Sequence, residues 1–238
     1  MIKKIIGIVC LIPSFVLAGE QTAETRNGFY IKADVGISKM NKAKQHNVYP
    51  KHNINVSTNK SKPKMSFPVS IAAGFYLNDY VRHDLSFGYQ KVNFKKSVVD
   101  CVWYDRAGNI LDEQGKFTVN RKATIYSLMF NSYVDMPIND QFQVFAGAGL
   151  GIARIDEKGN LSVTKLNRTK IGNKVKSKKK QNFAYSLTTG ISYKLNDNTN
   201  LELSYKWSDY GKTKYKDKDV TKNRYRGHSI LTGIRYSM

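Results

Sequence analysis

After residue 18 the sequence has no long apolar run and a single cysteine, Cys101, and the whole chain of 238 residues holds only four histidines. The first absence removes a helical membrane crossing, so the body of the chain is either exported and soluble or crosses a membrane with strands. The second removes an internal disulfide, and an exported protein without one must find its stability elsewhere. The third leaves little for catalysis. His46 and His52 share a polar stretch, His83 and His228 stand apart, and no metal-ligand spacing joins them. Acidic residues are also scarce, 18 against 39 Lys and Arg.

What the chain does have begins at its N-terminus. "MIKKIIGIVCLIPSFVLAGE" sets Lys3 and Lys4 before an apolar run from Ile5 to Leu17, and then Val16 and Ala18 suit cleavage before Gly19. The pattern predicts a secretory signal peptide over residues 1–18 and a mature domain over 19–238. Cys10 follows Val9, not a small residue, which argues against a lipoprotein anchor. Without Lys3 and Lys4, 37 basic residues face 18 acidic ones, a net of +19. Such a charge would suit nucleic acid, but export conflicts with that role, and no nucleic-acid partner is expected.

In "FQVFAGAGLGIARI", Phe142 to Ile155, glycines fall at Gly147, Gly149 and Gly151. A dinucleotide loop needs its third glycine three places after the second, ahead of a helix. A spacing of two is that of a strand, so these glycines form a bare stripe on one face. Seven more segments alternate in the same way: Phe29 to Lys39, Phe67 to Leu77, Val81 to Gln90, Tyr126 to Asp135, Phe183 to Leu195, Leu201 to Ser208 and Ile230 to Met238. Each approaches the length of about 9 to 11 residues with which a tilted strand crosses a bilayer.

Short turn signals at Asn78, Pro137 and Asn196 join alternate pairs. Long polar stretches join the others, over residues 41–64, 95–122, 156–180 and 212–224. Long structureless loops are out of place in a compact soluble domain, whereas short periplasmic turns and long outer loops belong to a membrane barrel. The fold expected is therefore all-β: an eight-stranded antiparallel up-and-down transmembrane β-barrel with four long extracellular loops.

In such a barrel the apolar register meets lipid, with aromatic residues such as Phe29, Tyr89, Tyr126 and Trp207 near the strand ends. The other register lines a narrow lumen, where Gly147, Gly149 and Gly151 leave room for bulky neighbours. Unpaired amides cannot face hydrocarbon, so the first strand must pair with the last. Charges of both signs among Lys32, Asp34, Arg82, Asp84, Glu202, Lys206 and Arg235 predict an interior salt-bridge network, which argues against a wide pore.

The C-terminal "GIRYSM" resembles the assembly signal of small outer-membrane barrels of the OmpA, OmpX and opacity type, with Gly233 and Tyr236 in place and Met238 where phenylalanine is usual. "NSYVDM…FQVFAGAGLG", "LELSYKWSDYGKTK" and "HSILTGIRY" are similar to the small Adr-type barrel adhesins of obligate intracellular alphaproteobacteria. The resemblance covers the strands and almost none of the loops. It implies a bacterial outer-membrane location, the barrel-assembly machinery, membrane lipid and lipopolysaccharide as partners, and a role in host attachment.

Counted from residue 41 to Arg226, the four long stretches hold 28 basic and 8 acidic residues, +20, so the outer face carries nearly all the excess charge. Its densest piece, "KVKSKKK", contains Lys174, Lys176, Lys178, Lys179 and Lys180. Dense cationic loops attract lipopolysaccharide phosphates, sulfated glycans or acidic patches on host surface proteins. They equally suit a solvated loop lying along an anionic leaflet. "DCVWYDRAGNILDEQG" reads as a hairpin raised above the membrane, with a turn at Asp105 to Asn109; Trp103 and Tyr104 are either contact anchors or local packing. Cys101 is a free thiol or an intermolecular bridge.

His228 beside Ser229 is the one pair that invites a nucleophile, yet strand neighbours point to opposite faces. The expectation is a monomeric, non-enzymatic barrel without metal or cofactor, acting as an adhesin. The competing reading is a structural, porin-like barrel with little or no conductance.

Overall fold

The computed structural model describes residues 28–41, 62–104, 110–164, 170–176, 181–213 and 223–238. The export segment at 1–18 lies outside the described residues, as do His46, His52, Lys178, Lys179 and Lys180. The described chain forms ten strands: β1 Gly28–Met40, β2 Val69–Tyr76, β3 Val81–Asn93, β4 Ser97–Tyr104, β5 Ile110–Pro137, β6 Phe142–Thr164, β7 Lys170–Lys176, β8 Gln181–Lys194, β9 Thr199–Lys212 and β10 Arg224–Ser237. Eight of them close a ring in the order β1, β2, β3, β5, β6, β8, β9, β10, every pairing antiparallel. The first strand meets the last from Tyr30 opposite Ser237 to Met40 opposite Gly227. These eight are the eight alternating segments of the sequence.

At the short-turn end one device recurs three times. The Asn78 side-chain oxygen accepts from the amides of Tyr80 and Val81 at 2.9 and 2.8 Å. Asn139 does the same for Gln141 and Phe142 at 3.0 and 2.8 Å, and Asn196 for Asn198 at 3.1 Å. An asparagine that accepts backbone amides two and three residues on holds the chain in a tight reversal at little cost. In the third turn the Lys194 ammonium lies 2.9 Å from the Asp197 carboxylate, and this hydrogen bond holds that carboxyl below its usual range.

The burial pattern is inverted relative to a soluble protein. Phe29, Ile71 and Phe183 are 65% exposed or more, whereas Arg82 and Arg235 are fully buried. Water would oppose both placements; an apolar solvent outside and a closed polar interior favour both. Towards the long-loop end the inversion ends within single strands. The outward positions change from Ile37 to Lys39, from Tyr89 to Lys91 and from Ile152 to Arg154. The inward positions become Met40, Val92, Ile125, Ile155 and Tyr225, which pack as a buried apolar cluster with Phe94 and Ala123. The level at which the pattern flips marks the outer edge of the hydrocarbon.

Two of the long stretches carry ladders above this edge. β4 pairs with the outer half of β5 from Ser97 opposite Val119 to Tyr104 opposite Ile110, the ladder expected of the hairpin, and its expected turn at Asp105 to Asn109 lies outside the described residues. The stretch 156–180, expected as a loop, instead continues β6 and returns as β7, from Lys158 opposite Lys176 to Thr164 opposite Lys170. Its alternation of Leu161 and Val163, and of Ile171 and Val175, is diluted by lysine and asparagine, which hides it in the sequence.

Leu85 sits midway along the outward face of β3, opposite Phe130. Leu85→Arg is expected to lower stability in lipid vesicles by about 2–4 kcal/mol, measured by urea titration of the folded barrel.

Candidate functional site: a sealed lumen beneath a cationic outer face

Lumen geometry starts with the bare stripe. The β5–β6 register sets Gly147 opposite Tyr133, Gly149 opposite Asn131 and Gly151 opposite Met129. A Cβ on Gly147 would strike the Tyr133 ring, and one on Gly149 would strike the Asn131 carboxamide and come within 2.7 Å of Ser186 Oγ. A Cβ on Gly74 would likewise enter the Tyr30 ring. The glycines thus admit Tyr133, Asn131 and Tyr30 to a lumen too narrow for facing side chains on every strand. Tyr133 meets Phe145 edge-on at 6.0 Å, and the Arg82 guanidinium lies 4.4 Å from the Tyr133 ring centroid and 5.0 Å from that of Phe145.

Glu202 is the hub of the charged network. Its carboxylate takes Arg235 at 2.7 Å, Lys32 at 2.8 Å and Arg82 at 3.3 Å. Arg82 reaches on to Asp135 at 2.8 Å, and Lys32 to Asp34 at 3.2 Å. Arg235 also donates to the Tyr76 hydroxyl and, at 3.3 Å, to Ser192 Oγ. Asp84 stands apart from the ion pairs and accepts from Asn131 Nδ2 at 2.6 Å and Tyr30 Oη at 3.2 Å. Lys206 forms no ion pair among the described residues. It borders a cavity of about 30 Å³ with Ser70, Ser86, Gln90, Ser127 and Ser229, room for roughly one water molecule.

Asp135 completes the network, although it was not among the expected members. Its even spacing from Asn131 on the polar side of its strand was the available signal. With it, four cations (Lys32, Arg82, Lys206, Arg235) balance four carboxylates (Asp34, Asp84, Asp135, Glu202).

A second seal lies above the first. Over the apolar cluster of Met40, Val92, Ile125, Ile155 and Tyr225, Arg121 pairs with Glu157, and the Tyr225 hydroxyl donates to Glu157 at 2.9 Å. The Arg121 guanidinium lies 5.2 Å from the Phe94 ring centroid. Arg121 and Glu157 fall in stretches assigned to the outer face, but both are buried. They cancel, so the net outward charge is unchanged. Arg224 and Arg226 also turn to a common partner, Asp209, at 2.7 and 3.3 Å.

On the outer face, Trp103 and Tyr104 close the β4–β5 ladder opposite Leu111 and Ile110, just beyond a register shift. Lys174 stands on β7 opposite Asn160, and Lys176 opposite Lys158. Cys101 lies opposite Gly115 on the same hairpin. His228 is exposed and lies 2.5 Å from the Tyr205 hydroxyl, while Ser229 is buried in the lumen, so the two do not act together. His83 packs against Phe75 and Phe130 at 5.4 and 5.6 Å. At the C-terminus, Gly233 leaves room for the Asp34 carboxylate opposite it, and Tyr236 and Met238 are exposed on the lipid side.

Comparison with known proteins agrees with this geometry. A family model described as the outer membrane protein beta-barrel domain matches residues 8–237. A protein of Rickettsia conorii named "Putative adhesin" is 33% identical over 225 residues, covering 91% of this chain and 85% of the relative. One of Rickettsia prowazekii with the same description is 29% identical and covers 99% of this chain and all of the relative. Among solved structures, the outer membrane protease OmpT of Escherichia coli aligns with a TM-score of 0.50 at 10% identity, covering 92% of this chain and 99% of its own, a likeness of fold alone. Neisserial surface protein A gives 0.49 at 18% identity, over 89% and 97% of the two chains.

Removing the hub carboxylate leaves three cations in a closed space. Glu202→Ala is expected to cost about 3–5 kcal/mol of stability in vesicle-bound unfolding experiments; unchanged stability would contradict the network as described.

Proposed function

The chain belongs to the outer membrane protein β-barrel domain family, and on that premise we propose that it is a non-enzymatic adhesin, attaching the bacterium to host-cell or serum ligands through its cationic outer face. It resides in the bacterial outer membrane. The observation that carries the reading is the placement of charge: the long-loop stretches hold a net +20 where the chain after residue 18 holds +19. A field of one sign above a nearly neutral barrel steers polyanionic or acidic ligands to the loops. Lys174, Lys176, Lys178, Lys179 and Lys180 form its densest part, and Trp103 and Tyr104 supply aromatic contact area on the neighbouring hairpin.

The packing of the lumen supports this assignment. A balanced ion cluster lies below an apolar plug and a buried Arg121–Glu157 pair, which favours a role on the outer face over transport through the lumen. In the same reading, residues 1–18 direct export and are cleaved, Gly233, Tyr236 and Met238 are presented to the barrel-assembly machinery, and the protein acts as a monomer. A structural barrel with little or no conductance is the competing account, and it shares the seals but needs no ligand.

Cells displaying the protein, and the purified barrel, are expected to bind heparin and host matrix proteins. Replacement of Lys174, Lys176, Lys178, Lys179 and Lys180 by Gln is expected to weaken binding about tenfold, and raised salt to weaken the unmodified protein likewise. Equal binding by both forms removes that segment from the account, and no binding by either favours the structural barrel.

A further inference from the structure

A second cationic feature lies at the membrane edge on β3, β5 and β6, and borders Lys176 of β7. On the outward face of β3, β5 and β6 the last apolar row is Phe87, Leu128 and Ile152. The next row is Tyr89, Tyr126 and Arg154, with the two tyrosine rings 5.4 Å apart. Above it stand Lys91 and then Lys122 directly opposite Lys158. All three lysines are exposed, and none forms an ion pair among the described residues. The acid in this patch, Asp156, is held by Arg154 at 3.3 Å.

Two like charges directly opposite on neighbouring strands repel, with Cβ atoms about 5 Å apart. The register continues the line to Lys176 on β7, so three lysines occupy one row of the ladder. An anion lying across the row would relieve that repulsion. Strands about 4.8 Å apart and rows about 7 Å apart are on the scale of a phosphorylated sugar headgroup. Depth selects the source of the anion. Lys91 stands two rows and the Lys122–Lys158 pair three rows above the last apolar residues, just beyond the tyrosines that mark the headgroup layer.

From this juxtaposition we propose that Lys91, Lys122 and Lys158 form a binding site for a phosphorylated glycolipid of the outer leaflet, whose acyl chains lie along Phe87, Leu128 and Ile152. Arg154 flanks the phosphates, and its pairing with Asp156 keeps it at the rim. The site anchors the base of the β4–β7 hairpins to the membrane surface. It is argued from Lys91, Lys122 and Lys158, none of which the attachment reading names, although Lys176 of that reading continues the same row.

The test uses the full mature chain, folded into phosphatidylcholine nanodiscs with a graded fraction of bisphosphorylated lipid A, and counts lipid A retained on the released protein by native mass spectrometry. The unmodified chain is expected to retain lipid A. Lys122→Gln with Lys158→Gln is expected to lower the apparent affinity about tenfold, while Lys39→Gln with Lys212→Gln, an equal charge loss on β1 and β9, away from the β3–β6 face, leaves it unchanged. Heat-dependent gel mobility verifies that each variant is folded, and Lys122→Arg with Lys158→Arg is expected to retain the lipid. Equal retention by the Lys122/Lys158 pair variant and the unmodified chain overturns the proposal, and so does an equal loss in the Lys39/Lys212 control. Loss of soluble heparin binding in the pair variant, with lipid A retention intact, would assign the lysines to a glycan and overturn it too.

Discussion

No backbone amide can be left unpaired in hydrocarbon, and the sheet must therefore close. The bonding of β1 to β10 and of β5 to β6 is the direct expression of that constraint. Closure with eight strands leaves an interior only wide enough for side chains, and from this the unusual sequence features follow. Gly74, Gly147 and Gly149 are where facing strands have no room for a Cβ, because Tyr30, Tyr133 and Asn131 already fill the space. The charges follow as well. Polar groups on the inner register cannot reach bulk water, so they must satisfy one another, and Glu202 with its three cations is how they do so.

The same chain obeys opposite solvent rules along its length. Below Ile37, Tyr89 and Ile152 the apolar register faces out; above them it faces in, as the cluster around Ile125, Ile155 and Tyr225. A strand that outlasts the bilayer meets water and must bury its apolar side in the ordinary way. The resulting plug and the ion cluster below it close the barrel at two levels. The proposed attachment then uses the outside, where the excess charge is.

The barrel itself was legible because a period of two is strong over strands bounded by turn signals, and because short and long connections alternate. The inward register was legible for the same reason: it contains Lys32, Arg82, Glu202 and Arg235. The partners within it were not. Periodicity places Asp135 on the inner face, but only the stagger of β3 against β5, with Arg82 opposite Tyr133, brings its carboxylate to the guanidinium. Nor does it show that Lys206 lacks an ion pair while Asp84 is satisfied by Asn131 and Tyr30. The apolar plug was hidden because Val92, Ile125 and Ile155 sit where each strand's alternation changes sense. β7 was hidden because Asn173 interrupts the alternation of Ile171 and Val175.

The account depends most on which face of each strand meets lipid. Nitroxide labels at Leu85→Cys and, separately, at Ser86→Cys, in a Cys101→Ser background in vesicles, report this through collision with oxygen, which is enriched in hydrocarbon, and with a water-soluble nickel complex. The Leu85 label is expected to be accessible to oxygen and shielded from nickel, and the Ser86 label to be shielded from both. A Leu85 label shielded from oxygen, with a Ser86 label open to nickel, would contradict the inside-out assignment.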